Sequence, residues 1–207
     1  MPNWASNGIE IRHRDPAKIQ ALAEAMRKNE FLNHIIPVPE ELNETISGGY
    51  SDPEEQRQLE EQTARNIEKY GYGNWYDFCV NEWGTKWDVD LAGTVSIDAD
   101  GLGINASFDS AWAPPIAVYE EMLEQGYEVV AYYYEPGMCF VGKWDNGHDL
   151  CYELSSYSSN TVRAAIGDEL DDYFAISESM AEWEDENEDE EELTEWIKEG
   201  AEHTLDK

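Results

Sequence analysis

Residues 178–192, ESMAEWEDENEDEEE, hold ten carboxylates and no base in fifteen positions. This run restricts the fold more than any other stretch, because charges that lack partners cannot be buried and like charges at i, i+4 weaken a helix. It must lie at a surface. Apolar residues bracket it: Ile176, Met180 and Trp183 fall at i, i+4 and i+7, and Leu193, Trp196 and Ile197 at i, i+3 and i+4. The spacing predicts an amphipathic helix at each end, with the acidic middle projecting into water.

The run belongs to a wider imbalance. The 207 residues carry 46 Asp and Glu against 13 Lys and Arg, a net charge of −33. Residues 168–207 hold 18 acids and 2 bases, and residues 1–167 hold 28 and 11. Direct binding to nucleic acid or to an anionic membrane is excluded on this ground, since both need a basic footprint. No window approaches the roughly 20 apolar residues of a membrane span, and the first residues lack a signal-peptide order, so a cytoplasmic protein is expected. The chain is still a folding sequence. It is 41% hydrophobic, with 8 Trp, 12 Tyr and 5 Phe, enough to build a core. Cys79, Cys139 and Cys151 are odd in number and set among apolar residues, which suits reduced thiols.

Residues 8–14 (GIEIRHR) alternate as a strand, and Asp15-Pro16 then opens a helix carrying Ile19, Leu22, Ala23 and Met26. The Pro-punctuated FLNHIIPVPEEL reads as extended, and residues 53–70 as an exposed helix capped by Asp52. A short aromatic helix within residues 74–87 should end near Gly84. Residues 86–98 and 102–109 read as strands around Asp100-Gly101, and Ala113-Pro114-Pro115 opens a helix through Gln125. Residues 127–134 are a third β-prone run, and 138–144 with 148–154 a hairpin around Asn146-Gly147. The fold class expected is α+β: a ferredoxin-like antiparallel sheet with helices on one face, extra C-terminal strands and an acidic helical tail. Its domain would span 1–160, with a helical insertion at about 40–84, and the tail 161–207. Another α+β sandwich with the same element order is the alternative.

Four strings occur in order: MPNWASN at the start, NWYDFCVNEWGTKWD at 74–88, FDSAWAPP at 108–115 and YEPGMCFVGKW at 134–144. Together they resemble the YubB-type ferredoxin-like family of uncharacterised phage, prophage and conjugative-plasmid proteins, over roughly residues 1–154. The resemblance implies the fold and an origin in a mobile element acting inside a host cell. It supplies no activity and no catalytic residues. One departure is Ala5, where the family commonly shows Cys.

No nucleophile elbow, phosphate loop, zinc-protease or dinucleotide motif is present to place His13, His34, His148 or Cys79 in a catalytic role. No enzyme and no cofactor are therefore expected. His148-x-x-Cys151 with Cys139 falls one ligand short of a structural zinc site, and the Asp98 to Asp109 stretch lacks the glutamate of a calcium loop, so no metal is assigned. A ligand pocket is expected around Asn3, Trp4, Trp75, Trp83, Lys86, Trp87 and Trp112, where polar groups neighbour aromatic rings.

The acidic run has the more direct route to function. Ten carboxylates on fifteen helical residues give one charge per about 2.2 Å, against about 1.7 Å along duplex DNA. A partner-binding surface is expected at Glu182, Trp183, Glu184, Asp185, Glu186, Glu188, Asp189, Glu190, Glu191, Glu192 and Trp196. Its partner would be a basic nucleic-acid-binding host protein, such as a restriction or CRISPR-type defence factor. The alternative expectation is a small molecule or nucleotide signal held in the tryptophan-rich pocket.

Overall fold

Alternation in Trp4–Arg12 (β1) places Ala5, Asn7, Ile9 and Ile11 on one face, all buried, while Ser6, Glu10 and Arg12 are exposed. That is the period of a half-buried strand. The computed structural model describes residues 3–91 and 93–187. The other strands are Ser96–Ile97 (β2), Gly103–Ala111 (β3), Glu128–Glu135 (β4), Phe140–Asp145 (β5) and His148–Glu153 (β6), in the sheet order β2-β3-β1-β4-β5-β6. β1 pairs antiparallel with β3 and with β4, and β2 pairs antiparallel with β3. β1 and β2 therefore run parallel with β3 between them, and β3 and β4 run parallel with β1 between them. This is the ferredoxin-like split βαβ topology expected from the sequence, extended by the β5–β6 hairpin. Asn146 and Gly147 turn that hairpin with positive φ at both positions.

Pro16–Arg27 (α1) starts where Asp15 accepts from the Ala17 N–H at 2.9 Å, and it buries Ile19, Leu22, Ala23 and Met26. Ile116–Glu124 (α6) buries Val118, Tyr119 and Met122. Both helices share one core with Ile9, Ile11, Ile104, Phe108, Val129 and Ala131 of the sheet. Each large apolar side chain fully buried there contributes about 1.5–3 kcal/mol.

The β1-to-β2 crossover is enlarged by Phe31–Ile35 (α2), Glu40–Asn43 (α3), Pro53–Tyr70 (α4) and Trp75–Glu82 (α5). α4 has few apolar anchors, so its ends and polar contacts hold it. Asp52 caps it, Pro53 opens it, Glu54 and Glu55 face its positive end, and Gly71 closes it in the left-handed conformation. Asn66, buried mid-helix, donates to the Thr45 hydroxyl and to the Gly73 carbonyl.

Two local expectations differ. FLNHIIPVPEEL forms α2 and opens α3 on either side of its prolines, and α2 is held because the Asp88 carboxylate accepts from the Leu32 and Asn33 N–H groups at 3.0 Å each, a cap supplied from 55 residues away. Among the described residues of 86–98, only Ser96–Ile97 pair as strand. Upstream of that pair, Val89 and Leu91 turn into the core, and the Leu91 N–H bonds Asn29 instead of a neighbouring strand.

The chain divides into two units, residues 1–151 and 152–207. Within the second, Ser159–Ile166 (α7), Asp168–Phe174 (α8) and helical residues 176–187 bury Leu154, Val162, Ile166, Leu170 and Ile176. Arg163 holds the unit's turns by bonding Asp168, Asp171 and Asp172 at 2.7, 2.9 and 2.8 Å. Asp171 is buried and accepts also from the Ser177 N–H and hydroxyl, and its pKa lies below the ordinary value. Burial alone would raise it. The Ser177 and Arg163 donors outweigh that cost.

Candidate functional site

Register brings the first residue of β1 against the last of β3. Trp4 lies opposite Ala111, and Ser6 opposite Asp109, so Trp4 and Asp109 share one sheet face. Trp87 reaches the same place from the crossover. Its backbone is fixed on both sides: the fully buried Thr85 donates to the Ala111 carbonyl at 2.9 Å, and Asp88 is bound to α2 while Val89 is buried. The Trp4 and Trp87 rings stack with centroids 6.2 Å apart and planes 29° apart, yet they remain 47% and 40% exposed. Together with Asp88, Val89, Asp90, Asp109, Ser110 and Ala111 they line an open cleft of about 510 Å³.

The cleft carries negative charge. Asp109 is exposed and accepts from the Ser6 hydroxyl at 3.0 Å. Asp88 is more enclosed. Burial raises its pKa against the lowering effect of the Asn33, Leu32 and Val89 N–H groups. Ser110 forms part of the floor and is held from behind by Asn7, whose amide donates to it at 2.9 Å.

A second aromatic group adjoins in sequence. The Lys86 ammonium lies 4.3 Å from the Trp87 ring centroid, 5.6 Å from Tyr76 and 5.7 Å from Trp112. Trp112 is held in the left-handed region, with φ 70°, and its N–H donates to the Asn3 carbonyl at 2.9 Å. Trp75 sits edge-on to Tyr76. Of the residues grouped on sequence, Asn3, Trp4, Lys86, Trp87 and Trp112 thus fall in two contiguous clusters, and Trp75 is half-buried beside them. Trp83 does not join them. It is a core residue whose indole N–H donates to the Ile36 carbonyl at 2.9 Å.

The three aspartates beside the rings were not singled out from the sequence. Asp109 is two residues before Ala111, and only the β1–β3 register reveals that this spacing puts it beside Trp4.

In the acidic segment, Glu178, Glu182, Trp183, Asp185 and Glu186 are exposed on helical residues 176–187, with Trp183 at 65%. Glu184 has a structural task instead. Its carboxylate accepts from the Ser159 hydroxyl and N–H at 2.6 and 2.9 Å, which depresses its pKa and caps the start of α7. Trp183, spaced with Ile176 and Met180 on the expected apolar stripe, faces solvent, whereas Ile176 is buried. Glu188, Asp189, Glu190, Glu191, Glu192 and Trp196 lie outside the described residues.

Cys79 is buried and its thiol is pushed up to about 12, first by desolvation and then by Asp88, which disfavours the thiolate a nucleophile needs. Among the described residues, no three His, Cys, Asp or Glu side chains converge as metal ligands, and no helix is long and apolar enough to cross a membrane.

No family model and no curated protein matches the chain. Among solved structures it is similar to the crystal structure of protein api92 from Yersinia pseudotuberculosis, of the family DUF1281. The identity is 13% and the TM-score 0.38, over 76% of this chain and 100% of that one. At that score the likeness carries no argument about fold or function.

Proposed function

We propose that the protein is a non-enzymatic inhibitor or decoy of a mobile genetic element. It binds a basic nucleic-acid-handling host defence protein by presenting carboxylates where DNA presents phosphates. The observation that carries this is the helix over residues 176–187, where Glu178, Glu182, Asp185 and Glu186 are exposed and none is in an ion pair among the described residues. From 178 to 186 the helix rises about 12 Å, so these four carboxylates lie on average about 4 Å apart along the axis, near the 3.4 Å of a single DNA strand. Trp183, exposed among them, provides an aromatic anchor. The resemblance to phage and plasmid proteins supports the mobile-element setting.

The test is affinity capture from host extract at low salt, identification of the partner, and competition with duplex DNA. A basic nucleic-acid-binding partner that DNA displaces is the expected result. Partners that are not basic, or a complex that saturating DNA leaves intact, would refute the proposal.

A further inference from the structure

The stacked tryptophans and the aspartates beside them form a cleft whose chemistry is selective. Two exposed indoles offer a flat apolar platform, and a cation on an indole face gains about 0.5–1 kcal/mol at an exposed site and more when desolvated. Asp90 and Asp109 line the same cleft, and Ser110 and Ala111 give it a small-residue floor. Carboxylates at this position repel the phosphates of a nucleotide and attract a cation. The Lys86 ammonium rests 4.3 Å from the Trp87 ring centroid, so this indole already takes a cation and an incoming guanidinium must share the ring or displace Lys86.

The platform is preorganised. Trp4 stands on the β1–β3 ladder, and Trp87 is held between Thr85 and Val89, both buried. Their exposure belongs to anchored backbone, so little ordering entropy opposes a ligand. Large aromatics held exposed in this way mark interaction sites.

We infer that this cleft receives an arginine side chain of the basic partner, with the guanidinium lying on the Trp4–Trp87 pair and its N–H edge donating to Asp109. Arginine fits better than lysine. Its planar, weakly hydrated guanidinium stacks on a ring while its edge reaches carboxylates, whereas an ammonium is a strongly hydrated point charge. The inference rests on the charge-mimicry reading for the partner's class, but the cleft's preference can be measured without any partner.

The experiment uses the full chain, labelled so that indole N–H resonances are resolved, titrated separately with N-acetyl-arginine amide, N-acetyl-lysine amide and ADP. Saturable shifts of the Trp4 and Trp87 indoles with the arginine probe are expected, weaker shifts with lysine and none with ADP. Trp87→Ala and the milder Asp109→Asn should each weaken arginine binding about five-fold. The Asp109 variant lies at an exposed position, so the test survives if the tryptophan variant misfolds. Unmoved indoles, equal binding of lysine, or shifts with ADP would overturn the inference. A silent cleft in a chain that still captures a DNA-displaceable partner removes the arginine slot alone. A saturable arginine site in a chain that captures no basic partner removes the charge-mimicry reading and the basic partner with it, and leaves the cleft's selectivity for arginine.

Discussion

Residues 1–151 and 152–207 carry nearly equal surplus charge, −17 and −16, although the first unit is far the longer. They use their acids differently. In the first unit many carboxylates have structural tasks: Asp15 and Asp52 cap helices, Asp88 caps α2 across the fold, Asp98 and Asp100 hold Arg12 at 2.7 Å each, and Glu41 binds Lys69 and Tyr70 at 2.6 Å each. In the second, Arg163 serves three aspartates and Glu184 serves Ser159, while Glu178, Glu182, Asp185 and Glu186 are exposed and in no ion pair among the described residues. Net charge alone does not reveal function. The informative part is exposed charge in no ion pair among the described residues, such as that on helical residues 176–187.

The contrast can be broken first in the first unit's core. Leu22→Ala removes a fully buried side chain between α1 and the sheet, and it should cost about 3 kcal/mol in denaturant unfolding. Hydrogen exchange should show the loss in β1, β3 and β4. In the second unit the equivalent damage is electrostatic. Arg163→Met leaves the buried Asp171 without its cation and should cost about 2 kcal/mol, seen as faster exchange in α7 and α8. If that substitution is silent, the aspartates are not held as described.

A smaller effect of opposite sign is expected at Tyr119. Its hydroxyl is fully buried with no hydrogen-bond partner among the described residues, and burial pushes its pKa up. Tyr119→Phe should stabilise the first unit by about 1 kcal/mol, measured as an increase in melting temperature.

The smallest effect concerns pH. Lys69 and Tyr70 lower the Glu41 pKa to about 2, below the usual carboxylate range. A depressed folded pKa means the contribution is present above the unfolded value of about 4.3 and is lost as pH falls toward about 2. Glu41→Gln should therefore remove part of the acid dependence of unfolding between those limits and leave the neutral-pH profile parallel to the parent's.

Much of this fold was legible in the sequence because its signals are local. Asp15-Pro16, Asp52-Pro53 and Asn146-Gly147 declare a cap, a cap and a turn within a few residues, and all three stand where expected. What stayed hidden depends on distant partners. α2 needs Asp88, and residues 86–91 leave the strand pattern because Val89 and Leu91 find the core. The candidate site divides in the same way. The tryptophan-rich strings were visible, but Trp83 separates from Trp4 and Trp87 by burial, and Asp109 joins them only through the strand register.

The central claim is that the exposed carboxylates of the second unit bind as DNA phosphates do. Its most direct test is the salt dependence of the captured partner's affinity, for the parent chain and for a chain carrying Glu178→Gln, Glu182→Gln, Asp185→Asn and Glu186→Gln. A steep parent slope of log K against log salt, reduced by about one for each contacting carboxylate removed, is the predicted result. An unchanged slope and affinity in the substituted chain would contradict it.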